Sequence, residues 1–245
     1  LPKLFFIHFK TRGKAMLEPQ DPQAPKPRTA SKRLSTDQRL HDIGIALQNT
    51  TEDAVIKTEL AEFGYTATKL AEGQALHAAA EALHRKQKEE YGEQLTATDA
   101  LDTAREAAND LYLRHLKIAR VAFKNDRGIQ DKLDINGRRK ETLSGWLGQA
   151  KQFYTTALNA PSIQASLATF GLTAAKLTAA QDLIQAVEEA AATQSREKGE
   201  AQEATRLRDL ALEDLYEWIS DFKTIARVAL QDVPQQLEKL GVVMR

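Results

Sequence analysis

Three histidines and a glutamate are the residues of this sequence best placed to do chemistry. His77, Glu81 and His84 fall at i, i+4 and i+7, a spacing that sets all three on one face of a helix. Glu81-Ala82-Leu83-His84 also spells Glu-x-x-His, the pattern with which carboxylate-bridged di-iron bundles hold metal. A helical hairpin turning between Glu93 and Leu95 would carry His115 opposite Gln74, within one helical turn of His77. A metal- or haem-binding set of His77, Glu81 and His115 is therefore one functional alternative.

The chain itself argues against that set. A di-iron bundle uses two Glu-x-x-His helices plus a Glu from each of two others, and only one such motif is present. At positions 107 further along, His77, His84 and His115 give way to Ile184, Ala191 and Phe222, while Glu81 persists as Glu188. Sites that accept apolar side chains are packing sites, so the histidines read as satisfied interior or boundary residues. We assign no metal ligand and no cofactor.

Other chemical signatures are sparse. Trp146, Ala150, Phe153 and Ala157 share a helix face, which is core spacing before it is a ligand pocket. There is no Gly-x-Gly-x-x-Gly, phosphate-loop, Gly-x-Ser-x-Gly or His-Glu-x-x-His motif. The chain has no Cys, which removes thiolate chemistry and disulfides. The expectation is a protein that is not an enzyme and has no identified small-molecule substrate.

The spacing of 107 is the clearest organisational feature. Residues 63–123 and 170–230 agree at 24 of 61 positions without a gap, and Ile118-Ala119-Arg120-Val121-Ala122 returns unchanged as Ile225-Ala226-Arg227-Val228-Ala229. This reads as an internal duplication, far longer than solenoid repeats of roughly 20–50 residues. Polar residues are retained too, at Lys69/Lys176, Gln74/Gln181, Glu90/Glu197, Asp102/Asp209, Glu106/Glu213 and Arg120/Arg227. They read as helix-end charges and inter-helix pairs, with Glu90 and Glu93 beside a turn, rather than as two binding sites.

The elements that position these residues are helical. Leu101, Ala104, Ala108, Leu111, His115, Ile118 and Ala122 recur at spacings of three and four, and Ala211, Leu215, Trp218, Phe222, Ile225 and Ala229 answer them. The pattern predicts helices over 36–49, 51–62, 66–92, 95–124 and 129–135, then over 141–158, 162–169, 173–199, 202–230 and 234–240. Gly92 and Gly199 are the expected hairpin turns, and Gly64 and Gly171 end helices before a Thr suited to N-capping. The expected fold is all-α: two tandem, internally duplicated, antiparallel up-and-down bundles, unit 1 over 35–137 and unit 2 over 138–245, behind an irregular arm over 1–34.

The balance of 34 Lys+Arg against 34 Asp+Glu hides a division. Residues 1–34 hold eight basic and two acidic side chains, so the remainder is net acidic. Pro22, Pro25 and Pro27 favour an extended arm. It is suited to an anionic partner or to the chain's own acidic body. Weak, non-specific nucleic-acid association through this arm and through Arg138-Arg139-Lys140 is a second alternative function.

Phe5, Phe6, Ile7 and Phe9 crowd its start, and these are the expected partner-binding residues, docking on another protein or on a second copy. The other reading of this segment is that translation begins at Met16. No run of about 20 apolar residues exists to cross a bilayer, and no convincing signal peptide is present, so a cytoplasmic location is the default expectation. The leading functional expectation is a structural or protein-interaction helical bundle.

Overall fold

The computed structural model describes residues 34–242. Among them are eight helices: α1 (Thr36–Glu52), α2 (Ala54–Glu62), α3 (Ala67–Ala122), α4 (Arg127–Lys132), α5 (Leu143–Asn159), α6 (Pro161–Ala168), α7 (Ala174–Ala229) and α8 (Gln235–Lys239). The all-α expectation holds, and the described residues contain no strand. Adding 107 to the ends of α1 and α3 gives the ends of α5 and α7.

Local chemistry explains where these helices begin and end. Asp53 caps α2 by accepting from the Val55 and Ile56 amides, at 3.0 and 3.3 Å. Asp126 caps α4 through the Ile129 amide at 2.9 Å, and Thr142 caps α5 through the Gly145 amide at 3.2 Å. Pro161 opens α6, where its missing N–H costs nothing. Gly64 ends α2 at φ +88°, and the Tyr65 amide returns to the Leu60 carbonyl at 3.0 Å. Gly171 and Leu172 repeat that left-handed cap after α6, and in both caps the residue after the glycine is buried. Thr66 and Thr173 take the N-cap backbone positions before α3 and α7, but their hydroxyls make no capping bond.

The two long helices overturn the expected hairpins. α3 runs through Gly92 and α7 through Gly199, each for 56 residues, or about 84 Å at 1.5 Å per residue. A lone glycine costs a helix only about 1 kcal/mol against alanine. Glu, Lys, Gln, Ala and Leu dominate the flanks and carry the helix across it. α3 and α7 pack against each other antiparallel.

The consequence is an exchange of partners. Residues 35–137 and 138–245 do not close on separate cores, because each core draws on both. Lobe I joins α1, α2 and the start of α3 to the end of α7 and to α8, through Leu40, Leu47, Ile56, Leu60, Leu215, Phe222 and Leu237. Lobe II joins the end of α3 and the segment after α4 to α5, α6 and the start of α7, through Tyr112, Leu133, Phe153, Ile163 and Leu177. Between the lobes only the middles of α3 and α7 face each other, over a thin seam of Ala97, Ala201 and Ala204. From Thr36 onward the chain forms one compact unit.

Candidate functional site

The straight course of α3 decides the fate of the histidine set. His77 and His115 lie 38 residues apart on one uninterrupted helix, which is about 57 Å. They belong to different lobes. His77 places its Nε2 2.8 Å from the Leu40 carbonyl oxygen, and His84 its Nε2 3.1 Å from Asp37 Oδ1, so both fasten α1 to α3. Lys88 Nζ joins His84 at Asp37, 2.7 Å away, and pulls that carboxyl below its ordinary range, with His84 adding to the effect. The His77/Glu81/His115 alternative lacks the proximity a shared ligand needs.

His115 sits in the lobe II core, 4% exposed, with Nδ1 3.1 Å from the Tyr154 hydroxyl. Burial lowers the imidazole pKa and raises that of Tyr154, so both partners are held neutral. Tyr112 meets Trp146, Phe153 and Tyr154 edge to face, and burial pushes its phenol up to about 12. Trp146, Ala150, Phe153 and Ala157 are all buried, as their spacing requires. This is an aromatic core with one satisfied polar pair, in keeping with the packing role read for His115.

A cleft of about 410 Å³ opens beside it, between α3, the segment before α5 and Trp146. Arg105, Arg139 and Lys140 line it together with Asp102, Glu106 and Glu141, three charges of each sign. Arg105 donates to the Glu141 carbonyl at 2.9 Å and stands 6.0 Å over the Trp146 ring. Arg139 reaches Asn109 at 3.5 Å. These contacts tie the joint between the sequence units to α3, and two of its three basic residues, Arg139 and Lys140, line the cleft beside carboxylates.

The third cluster lies at the helix crossing. Ligand oxygens of Glu90, Glu197 and Glu200 lie within 4.8 Å of one another. Glu90 and Glu197, 107 residues apart, are brought close together at mid-seam and not at the hairpin turns expected for them. Arg196 Nη2 donates to Glu197 at 2.8 Å, and Lys86 stands 3.8 Å from Glu90. Gln87 accepts from Arg208 at 3.1 Å, a further tie between the helices. Arg196 also stands 3.7 Å from Glu200, so two exposed cations offset part of the charge of the three carboxylates.

Retained polar residues do not keep their bonds. Lys69 pairs with Glu72 at 2.8 Å, whereas Lys176 caps the Gly171 carbonyl at 2.8 Å. Arg120 donates to the Ile135 carbonyl at 3.0 Å, and Arg227 to the Lys223 carbonyl at 3.3 Å. Sequence identity at these positions therefore did not signal two equivalent sites. The partner-binding residues Phe5, Phe6, Ile7 and Phe9, and the basic arm with them, lie outside the described residues.

No family model, curated protein or solved structure matches the chain. Its own geometry carries the functional argument. No helix among the described residues is long and apolar enough to cross a membrane.

Exposed apolar groups at the two ends escaped the sequence reading. Phe63 and Phe170 are 45% and 50% exposed, and Val121 and Val228 are 58% and 48% exposed. Phe63 and Val228 belong to the far end of lobe I, Phe170 and Val121 to the far end of lobe II. The signal was available: each pair is identical across the spacing of 107, at a place where burial does not demand it.

Proposed function

We propose that this chain is a non-enzymatic spacer and interaction protein that holds two docking ends at a fixed separation. The observation that carries the reading is the pair of continuous 56-residue helices with a lobe at each end. Antiparallel pairing through an alanine seam makes a narrow, stiff connection, and the lobes anchor each helix at both extremities. The Phe and Val retained at each end supply apolar contact area. The N-terminal arm, through Phe5, Phe6, Ile7 and Phe9, adds a further docking element in this proposal.

Photo-crosslinking in the source cells tests it. A benzophenone side chain is introduced at Phe63, at Phe170 and, as a mid-stalk control, at Tyr91, which is 52% exposed. The spacer reading expects protein adducts at both end positions. Adducts at Tyr91 alone, or at none of the three, contradict it.

A further inference from the structure

The two ends carry the same apolar groups and opposite charge. The end of lobe II is built from residues 114–132 and 160–180, which hold seven Lys+Arg and two Asp+Glu. The matching segments of lobe I, 221–239 and 53–73, hold five Lys+Arg and seven Asp+Glu. The reversal is position by position. Arg114 becomes Asp221, Lys117 becomes Thr224 and Lys124 becomes Gln231, while Glu59 and Glu62 stand where the other end has Ser166 and Thr169.

These groups are available at the surface. Arg114, Lys117, Lys124 and Arg127 are exposed around the lobe II end, and Glu62, Asp221 and Asp232 around the lobe I end. Arg120, Lys132 and Lys176 are the other exposed cations of the lobe II end, and Arg120 and Lys176 bond to carbonyl oxygens, which leaves their charge unneutralised by those bonds. At the lobe I end two of the cations are already taken, Lys239 by Asp53 at 2.7 Å and Lys69 by Glu72 at 2.8 Å. The remaining carboxylates outnumber the remaining cations there.

We propose that the basic end of one chain docks on the acidic end of a second copy, with Phe170 and Val121 against Phe63 and Val228, so that chains add head to tail. A contact between two different patches on one molecule leaves a free patch at each end of the pair, and it propagates as an open filament unless the rotation closes a ring. Opposite charge favours this pairing over basic-to-basic or acidic-to-acidic meetings, which the shared apolar groups would otherwise permit equally. The inference rests on the spacer reading and names a second copy of this chain as what its ends bind.

The test uses the full-length protein and two variants altered only at exposed positions. Phe170→Ser with Lys124→Glu blocks the basic end, and Phe63→Ser with Glu62→Lys blocks the acidic end. Light scattering at low salt should show a wild-type mass that climbs with concentration and falls back as salt is raised to about 1 M, where screening shortens to roughly 3 Å. Each variant alone should stay at the 27.2 kDa chain mass, and their equimolar mixture should reach twice that mass and stop.

A wild-type mass that stays at the single-chain 27.2 kDa up to about 1 mM overturns the proposal. So does growth in either variant alone, which would place the contact elsewhere, in the N-terminal arm for example, or show that one end binds itself. Failure here with end-position crosslinks to a different protein leaves the spacer standing. Failure of both experiments removes both readings.

Discussion

Where lobe II places Tyr112, His115 and Tyr154, lobe I places Ile219, Phe222 and Leu47. Where lobe I stacks Trp218 on Phe222, with ring centroids 5.3 Å apart, lobe II has Leu111 and His115. The helices are laid out alike, yet each interior is filled by its own solution. Gly73 in lobe I leaves the space that the Trp218 ring occupies; at the matching positions of lobe II the sequence has Ala180 and the smaller Leu111. The frame tolerates such divergence because shape has to match only across each contact, not between lobes. Histidines confined to one lobe are accordingly packing choices of that lobe.

The comparison breaks most visibly at Gly73. A Cβ there would lie 2.6 Å from Trp218 Cζ2, against a ring end held by its neighbours. Gly73→Ala should lower stability by about 1–3 kcal/mol in urea titration despite its better helix propensity. Adding Trp218→Leu, which copies the lobe II pairing, should return part of that loss. Next in size is Tyr154→Phe, which strands a buried His115 nitrogen and should cost about 1–3 kcal/mol. Leu47→Phe in lobe I has no such polar partner to strand, so any loss there reflects volume alone.

His115 also gives lobe II a pH dependence. Burial, with a contribution from Lys176, holds its folded-state pKa below the ordinary value. The unfolded chain therefore takes up the proton first as the pH drops. The stabilisation is complete above about 6.5 and is lost as the pH falls through the folded-state value. His115→Phe, which copies Phe222, should flatten this part of the profile, as urea midpoints at neutral and mildly acid pH will show. The smallest expected effect is at Lys151, whose pair with Glu188 at 2.8 Å faces Gly44 and Glu81 at the matching place in lobe I. Lys151→Ala should cost about 0.2–1 kcal/mol, because the lysine is exposed.

The helical character, the two αL glycine caps and most element boundaries were legible in the sequence. The course of α3 and α7 was not. An apolar stripe such as Leu101–Ala122 specifies that something covers it but not what. In a hairpin the first half of α3 would cover it; in the structure the start of α7 does, with a stripe of closely related sequence. Gly92 looked like a turn because glycine is common at turns, yet a helix passes through an exposed glycine at small cost. The misplacement of His115 beside His77, and of Glu90 beside a hairpin, followed from that single choice. The cleft around Arg105 was hidden for a different reason, since it depends on residues 139–141 folding back on α3 from a loop without periodicity.

The continuity of α3 is the claim on which the lobes, the separated histidines and the paired ends all depend. The chain has no native cysteine, so two introduced ones can be labelled uniquely. Ala78 and Ala107 are both exposed and flank Gly92. Spin labels at Ala78→Cys and Ala107→Cys should lie about 44 Å apart in a pulsed dipolar measurement if α3 is one helix. A distance near 10 Å, the separation of two packed antiparallel helices, would contradict the account.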